Sequence, residues 1–296
     1  MIYLQKILLW IENQKYREEL DDWKRSLAEA GITVESVAAE SIDREKAEEE
    51  KCPITDACKE GELWITDSAQ RVMQLSKGGH GVLVFLHEEN WEQDFSGIMY
   101  ACEKPWELDV DYLDKVYRRY HAIPWDILET DRCVLRESCV EDVEVFYEIY
   151  SVPEVSRYTD PLRANREQER QFIRDYIEKM YGFYGFGIWT ILTKGTKEVI
   201  GRAGFSYREE YEDVEIGYLI GAKWQRQGYA SEVCKAILEF GREELGFDRV
   251  QAFVRLENEV SLKLCEKLGF ECVEEVELQQ EKHWRLIKIL KKGLGK

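Results

Sequence analysis

The stretch best equipped for chemistry is Gln225-Arg226-Gln227-Gly228-Tyr229-Ala230. It follows the apolar run Val214–Ile220 and opens a helical pattern that starts at Ser231. A strand that turns through a glycine-containing loop into a helix start gathers backbone N–H groups. With the positive end of the helix dipole they form an anion site, read here as a pyrophosphate cradle. A second place to look lies in the first half, where Glu12, Asp67 and Ser68 follow strand-like runs. Ligands of open α/β sheets bind at such strand ends. Asp67 has the simpler alternative of capping a helix. No metal centre is expected. The eight cysteines include no CxxC pair, the Cys52–Cys58 spacing matches no metal site, and the four histidines are scattered.

These stretches must be held by elements of two kinds. In residues 1–130 strand and helix alternate with short connections: strands at Lys6–Ile11, Ile32–Val37, Leu63–Thr66, Val82–Leu86 and Gly97–Ala101, and helices at Tyr16–Ala30, Ser68–Ser76, Trp91–Ser96 and Asp109–Tyr120. That alternation predicts a small three-layer α/β domain around a parallel sheet. The charge run Asp43–Lys51 reads as an exposed helix. His121–Thr130 is the crossing, because Pro124 breaks the preceding helix. Residues 131–296 read as a second domain. It has a strand at Arg132–Glu137, helices at Val140–Tyr150 and Asn165–Tyr181, and an antiparallel meander at Ile188–Thr193, Val199–Tyr207 and Val214–Ile220. The loop follows, then a helix Ser231–Glu244, a strand Val250–Arg255, a helix Ser261–Leu268 and a final hairpin near Cys272–Glu277 and His283–Leu290.

Charge narrows the partners. The chain has 59 acids against 41 bases, a net −18. Residues 1–130 hold 28 acids and 15 bases, a net −13, and the remainder 31 and 26, a net −5. Neither half offers the basic surface that phosphate neutralisation needs, so nucleic acid is not expected as a partner. No apolar run approaches the length of a membrane span, and the apolar start lacks the flanks of a signal peptide. The cysteine pattern suits reduced thiols in a cytoplasmic protein. A homodimer is left open.

Four pieces in the second half carry a resemblance. They are Tyr184-Gly185-Phe186-Gly187-Ile188-Trp189, Val199-Ile200-Gly201-Arg202-Ala203-Gly204, Glu215 to Ile220 leading into Gln225-x-x-Gly228-x-Ala230, and Asn258-x-x-Ser261 leading to Leu264-Cys265-Glu266-Lys267-Leu268-Gly269-Phe270. In order and spacing, residues 132–290 resemble the GNAT superfamily of acyl-CoA-dependent N-acetyltransferases, nearest the branch of ribosomal-protein N-terminal acetyltransferases. The first half resembles haloacid-dehalogenase-like α/β domains only faintly. Its first strand ends in Trp10-Ile11-Glu12-Asn13, without the nucleophilic aspartate those phosphatases use, so it reads as a binding or interaction domain.

The GNAT resemblance implies a mixed, mostly antiparallel sheet flanked by helices, with acetyl-CoA as co-substrate. It places the CoA pyrophosphate on Gln225, Arg226, Gln227, Gly228, Tyr229 and Ala230. The pantetheine arm falls to the backbone of Leu219 and Ile220 and to Asn258, with Ser261 near it. The alternative for Asn258 is a helix N-cap. The implied reaction is direct attack of a primary amine, on a protein N-terminus or a small molecule, on the thioester. Glu215 is the expected general base, and the acceptor pocket is expected from the Tyr158 loop, Phe183-Tyr184 and the hairpin near Trp284. Cys265 stands where the superfamily usually has an acidic tyrosine, so either Tyr218 or a water protonates the thiolate or the thiolate leaves unaided. The competing reading is a catalytically weak acyl-CoA sensor with the first half as interaction module.

Overall fold

A computed structural model describes residues 2–37 and 60–290. The run Asp43–Lys51, Cys52, Cys58 and the basic tail 291–296 lie outside the described residues. The chain divides into two compact units, Met1–Ile123 and Pro124–Lys296. The boundary falls at Pro124 rather than between 130 and 131, because the crossing segment carries a short strand of the second unit.

In the first unit β1 (Lys6–Trp10), β2 (Thr33–Ser36), β3 (Glu62–Thr66), β4 (Val82–Phe85) and β5 (Tyr100–Cys102) form one sheet in the order β2-β1-β3-β4-β5. Every neighbouring pair is parallel. The strands are apolar on both faces, as a sheet covered on both sides requires. Ile7 and Leu9 join Leu20, Trp23 and Leu27 of α1 (Arg17–Glu29) and Leu113 and Val116 of α3 (Val110–Tyr120). Leu8 and Trp10 face the other way, onto Val72 and Leu75 of α2 (Ala69–Lys77). The three-layer expectation holds. Two local expectations do not. Segment Trp91–Ser96 forms turns instead of a helix, because Asn90 and Asp94 side chains bond nearby backbone N–H groups and compete with helix. Strand β5 starts at Tyr100, since Gly97 adopts a left-handed φ of 83° that ends extended pairing.

Asp67 does not cap α2, whose N-cap Ser68 makes no side-chain bond. Its carboxylate instead takes the N–H groups of Glu12 and Asn13 at 2.8 and 2.9 Å, and His87 Nε2 lies 3.3 Å away. Both side chains are buried. The chain after β1 is thus joined to the end of β3 by the Asp67 carboxylate.

The second unit carries an eight-stranded sheet in the order β12-β13-β11-β10-β9-β8-β7-β6. In chain order its elements are β6 (Asp126–Glu129), β7 (Cys133–Arg136), α4 (Val143–Tyr150), α5 (Pro153–Ser156), α6 (Arg166–Tyr176), a π-helical turn Ile177–Tyr181, α7 (Gly182–Tyr184), β8 (Ile188–Thr193), β9 (Val199–Ser206), β10 (Val214–Ile220), α8 (Tyr229–Glu243), β11 (Arg249–Arg255), α9 (Glu259–Lys267), β12 (Glu271–Leu278) and β13 (Glu281–Ile289). All neighbours are antiparallel except β10 and β11. One face packs Trp189, Phe205, Ile216 and Ile220 against Val233 and Ile237 of α8. A separate cluster joins α4 and α6 through Val143, Phe146 and Ile173.

One buried ion pair ties β7 to the entry of α4. Arg136 grips Asp142 through Nη1 and Nη2 at 2.7 and 2.6 Å, while Thr190 Oγ1 and Cys139 N–H donate to the same carboxylate at 2.8 and 3.0 Å. Burial opposes the charge on Asp142, but Arg136 and the other donors outweigh it and hold the carboxyl below its ordinary range. Because the folded pKa is depressed, this stability is fully present above the unfolded value of about 3.9 and is lost as pH falls through the folded one. Asp142→Asn leaves Arg136 buried without its counter-charge and is expected to cost about 3–5 kcal/mol near neutral pH. Urea unfolding checks it: the gap to the parent protein should narrow in acid, and a pH-independent gap contradicts it.

Candidate active site

Strands β10 and β11 run parallel, but their pairing covers only Val214↔Val250 and Glu215↔Gln251. On its other edge β10 stays paired with β9 from Glu215 to Ile220. The sheet therefore opens between β10 and β11 after Glu215. Gly221 N–H donates to Ile200 C=O at 2.8 Å, so alternation turns the backbone groups of Leu219 toward β9 and those of Tyr218 and Ile220 toward the opening. Gln225 Nε2 occupies the Ile220 C=O at 2.9 Å. Tyr218 N–H and C=O and Ile220 N–H stand on the open edge. Close contact on the β9 side needs glycine, since a Cβ at Gly201 would sit 2.1 Å from Leu219 O.

The loop beyond β10 makes a 3₁₀ turn at Ala222–Trp224 and then two left-handed residues, Arg226 at φ 61° and Gly228 at φ 87°. A left-handed arginine costs about 1–2 kcal/mol, which the surrounding loop contacts must offset. Gly228 is the N-cap of α8 and brings no side chain to the first turn, so the N–H groups of Tyr229 and Ala230 open the helix without a side-chain cap. Gln225 and Gln227 serve the loop itself, Gln227 Nε2 donating to Lys223 C=O at 2.8 Å. Sequence reasoning missed the brace beneath it. Arg132 Nη1 donates to Gln227 C=O at 3.0 Å and Arg132 Nε to Glu232 at 2.7 Å, with the guanidinium over the Tyr229 ring at 4.1 Å. Thr130 Oγ1 donates to Glu232 at 2.6 Å. Burial is the largest single influence on Glu232 and opposes its charge, but Thr130 and Arg132 together outweigh it and hold the carboxyl below its ordinary range.

Across the opening stands the start of α9. Asn258 is its N-cap, and Oδ1 accepts Ser261 N–H at 3.1 Å. The Tyr218 hydroxyl donates to Ser261 Oγ at 2.9 Å. Burial pushes the Tyr218 phenol well above its usual range, and both Cys234 and Cys265 lie near enough to add to the shift. Cys265 is itself buried, its thiol raised to about 11 by desolvation. The Tyr218 phenol thus lies near Cys265, between β10 and α9.

Glu215 points to the opposite sheet face. Ile216 and Ile220 lie in the α8-side core, so Glu215, Gly217 and Leu219 alternate away from it. Gly217 leaves space beside Glu215, where a Cβ would meet only Ile188 Cδ1 at 3.7 Å. Burial raises the Glu215 carboxyl, Arg208 opposes this, and Asp160 adds to it; the net shift is upward. Of the aromatics expected around an acceptor, Tyr158 reaches the β11–α9 connection, its hydroxyl 3.3 Å from Glu257 C=O. Phe183 is 80% exposed, and Tyr184 packs on Tyr207 with ring centroids 4.9 Å apart. Trp284 pairs with Val254 and packs on the α8-side core, on the face away from Glu215.

The family match and the relatives of the second unit define an N-acetyltransferase. The acetyltransferase (GNAT) domain model matches residues 132–271. The chain is 38% identical over 149 residues to the uncharacterized N-acetyltransferase YoaA of Bacillus subtilis (strain 168), covering 49% of this chain and 82% of that protein. It is 27% identical over 161 residues to the [Ribosomal protein uS5]-alanine N-acetyltransferase of Escherichia coli (strain K12), covering 50% and 80%. A GNAT-family acetyltransferase structure from Bordetella pertussis superposes with a TM-score of 0.48 at 24% identity, covering 55% and 99%. The protein belongs to the GNAT family, which implies acetyl-CoA as acetyl donor. Among the described residues no helix is long and apolar enough to cross a membrane.

Arg132 holds the loop through the Gln227 carbonyl, the Tyr229 ring and Glu232. Arg132→Met is expected to weaken acetyl-CoA binding about tenfold, roughly 1.4 kcal/mol, with little change in unfolding because the side chain is largely exposed. Titration calorimetry checks this, and an unchanged Kd contradicts it.

Proposed function

We propose that this unit acetylates a primary amine, on a protein N-terminus or a small molecule, by direct attack on acetyl-CoA held in the opening between β10 and β11. The observation that carries the reading is the parting of those strands immediately after Glu215, directly before the uncapped start of α8. The residues fit the donor. The N–H groups of Gly228, Tyr229 and Ala230, with the helix dipole, suit a pyrophosphate. Arg226 adds positive charge at the loop tip. The open backbone groups at Tyr218 and Ile220 suit the amides of a pantetheine arm, with Asn258 and Ser261 at the start of α9 as further polar partners. Acetyl-CoA supplies an activated thioester carbonyl there.

The protein's own groups then divide the proton work. Glu215, raised by burial, accepts a proton from the incoming ammonium, directly or through one water. Tyr218 stays protonated at physiological pH and is placed to hand its proton toward the departing sulfur, with Ser261 holding the hydroxyl. Tyr218 N–H on the open edge is a donor for the developing oxyanion. Residue alternation puts Glu215 and Tyr218 on opposite faces of β10, so acceptor and leaving thiolate have separate sides. Kinship with a ribosomal-protein alanine acetyltransferase supports a protein N-terminus as acceptor, and the net negative charge suits a cationic one.

Two results test this. Gly228→Glu places a bulky anion at the cradle and should abolish acetyl-CoA binding by calorimetry; retained micromolar-order affinity would sink the cradle. Glu215→Gln should lower kcat about 10²–10⁴-fold with acetyl-CoA affinity intact, read by thiol release across peptides with free N-terminal alanine or serine, polyamines and amino acids. Unchanged kcat for every acetylated member of that panel removes Glu215 from the mechanism.

A further inference from the structure

Arg208 lies in the turn after β9, outside every motif that marks the family in this chain. Its Nε and Nη2 both contact Glu215, at 3.0 and 2.9 Å, and both go to the same oxygen, Oε2. Among the described residues Glu215 Oε1 takes no hydrogen bond. The arginine is itself positioned: its guanidinium lies over the Phe253 ring of β11 at 5.0 Å, and Phe253 packs on Tyr211 of the same turn with centroids 4.9 Å apart. It therefore spans β10 and β11 at the point where their pairing ends.

We propose that Arg208 is the positioning residue for Glu215, a role that rests on the base assignment above. Fixing Oε2 sets the carboxylate plane and leaves Oε1 as the one oxygen free to receive the acceptor's proton. The cation also keeps a largely buried carboxylate ionised, which burial alone would oppose. The other groups around Glu215 do not supply this. Asp160, after α5, is an anion and pushes the opposite way. Ser206, opposite on β9, is neutral. Gln251 of β11 is engaged by Asp213 C=O and Arg285 Nε, and Arg285 is committed to Asp213 and Glu274. A guanidinium stacked on an aromatic ring keeps a fixed plane, which a lysine in its place would hold less well.

Because Glu215 must be unprotonated to act, kcat/KM falls on the acid side of the profile. Removing the cation moves that limb to higher pH. The test compares the full-length protein with Arg208→Gln, Arg208→Lys and Glu215→Gln, measuring kcat/KM against pH with the fastest acceptor of the panel, together with acetyl-CoA Kd and thermal unfolding. Arg208→Gln should shift the acid limb to higher pH, lowering kcat/KM about tenfold or more near neutrality and much less on the alkaline plateau, with acetyl-CoA Kd unchanged. Arg208→Lys should return the limb toward its original place while the plateau stays reduced by the lost orientation. An acid limb unmoved in Arg208→Gln, or a rate lowered by one factor at every pH, overturns the proposal while leaving the base assignment intact. The acceptor's own ionisation leaves an acid limb in any variant, so the base assignment is overturned by Glu215→Gln keeping both the parent protein's limb position and its plateau rate.

Discussion

The second unit depends on one broken pairing. Parallel strands β10 and β11 pair at Val214 and Glu215 and then part, while β10 keeps its ladder to β9 through Ile220. Unpaired backbone groups inside a fold carry a cost of order 1–3 kcal/mol each unless something satisfies them. Part of that demand is met internally, by Gln225 on the Ile220 carbonyl. The remainder faces the opening, and the fold surrounds it with further polar groups: the start of α8 on one side and the Asn258 cap of α9 on the other. A gap lined this way is a binding surface for an extended chain bearing its own amides.

The same strand separates Glu215 and Tyr218 by its two-residue period. Glu215 belongs to the face with Gly217, where the missing side chain leaves room, and Tyr218 belongs to the face packed by α8 and α9. Both are shifted upward by burial, with different consequences. For a carboxyl the shift moves it toward the range where it can take a proton near neutrality. For a phenol it secures the proton until a strong base appears beside it. Two groups pushed in one direction thus suit the complementary roles proposed for them.

Legibility followed the range of the interactions. The cradle and the helix it opens are local, so Gly228 and Ala230 could be read from the chain, and so could the Asn258 cap. The parallel sheet of the first unit was legible from strand–helix alternation and doubly apolar strands such as Lys6–Trp10. Strand β6 was not, because four residues between Pro124 and Asp131 carry no periodicity. The Tyr218–Ser261 bond, the Arg132 brace and the Arg208–Glu215 pair join residues through folding of a turn or across the sheet, and single-sequence patterns hold no trace of them. Asp67 reads in the sequence as a ligand position or a helix cap; the structure instead gives it the backbone N–H groups after β1 and His87 after β4, contacts across the sheet that no local pattern shows.

The central claim is that acetyl-CoA lies along the open edge of β10, from Glu215 to the start of α8. Amide hydrogen exchange of the full-length protein with and without acetyl-CoA addresses it most directly. The account predicts new protection at Tyr218, Ile220, Gly228, Tyr229 and Ala230, with the first unit unchanged. Saturating acetyl-CoA that leaves those amides as they were, or that protects the first unit instead, contradicts it.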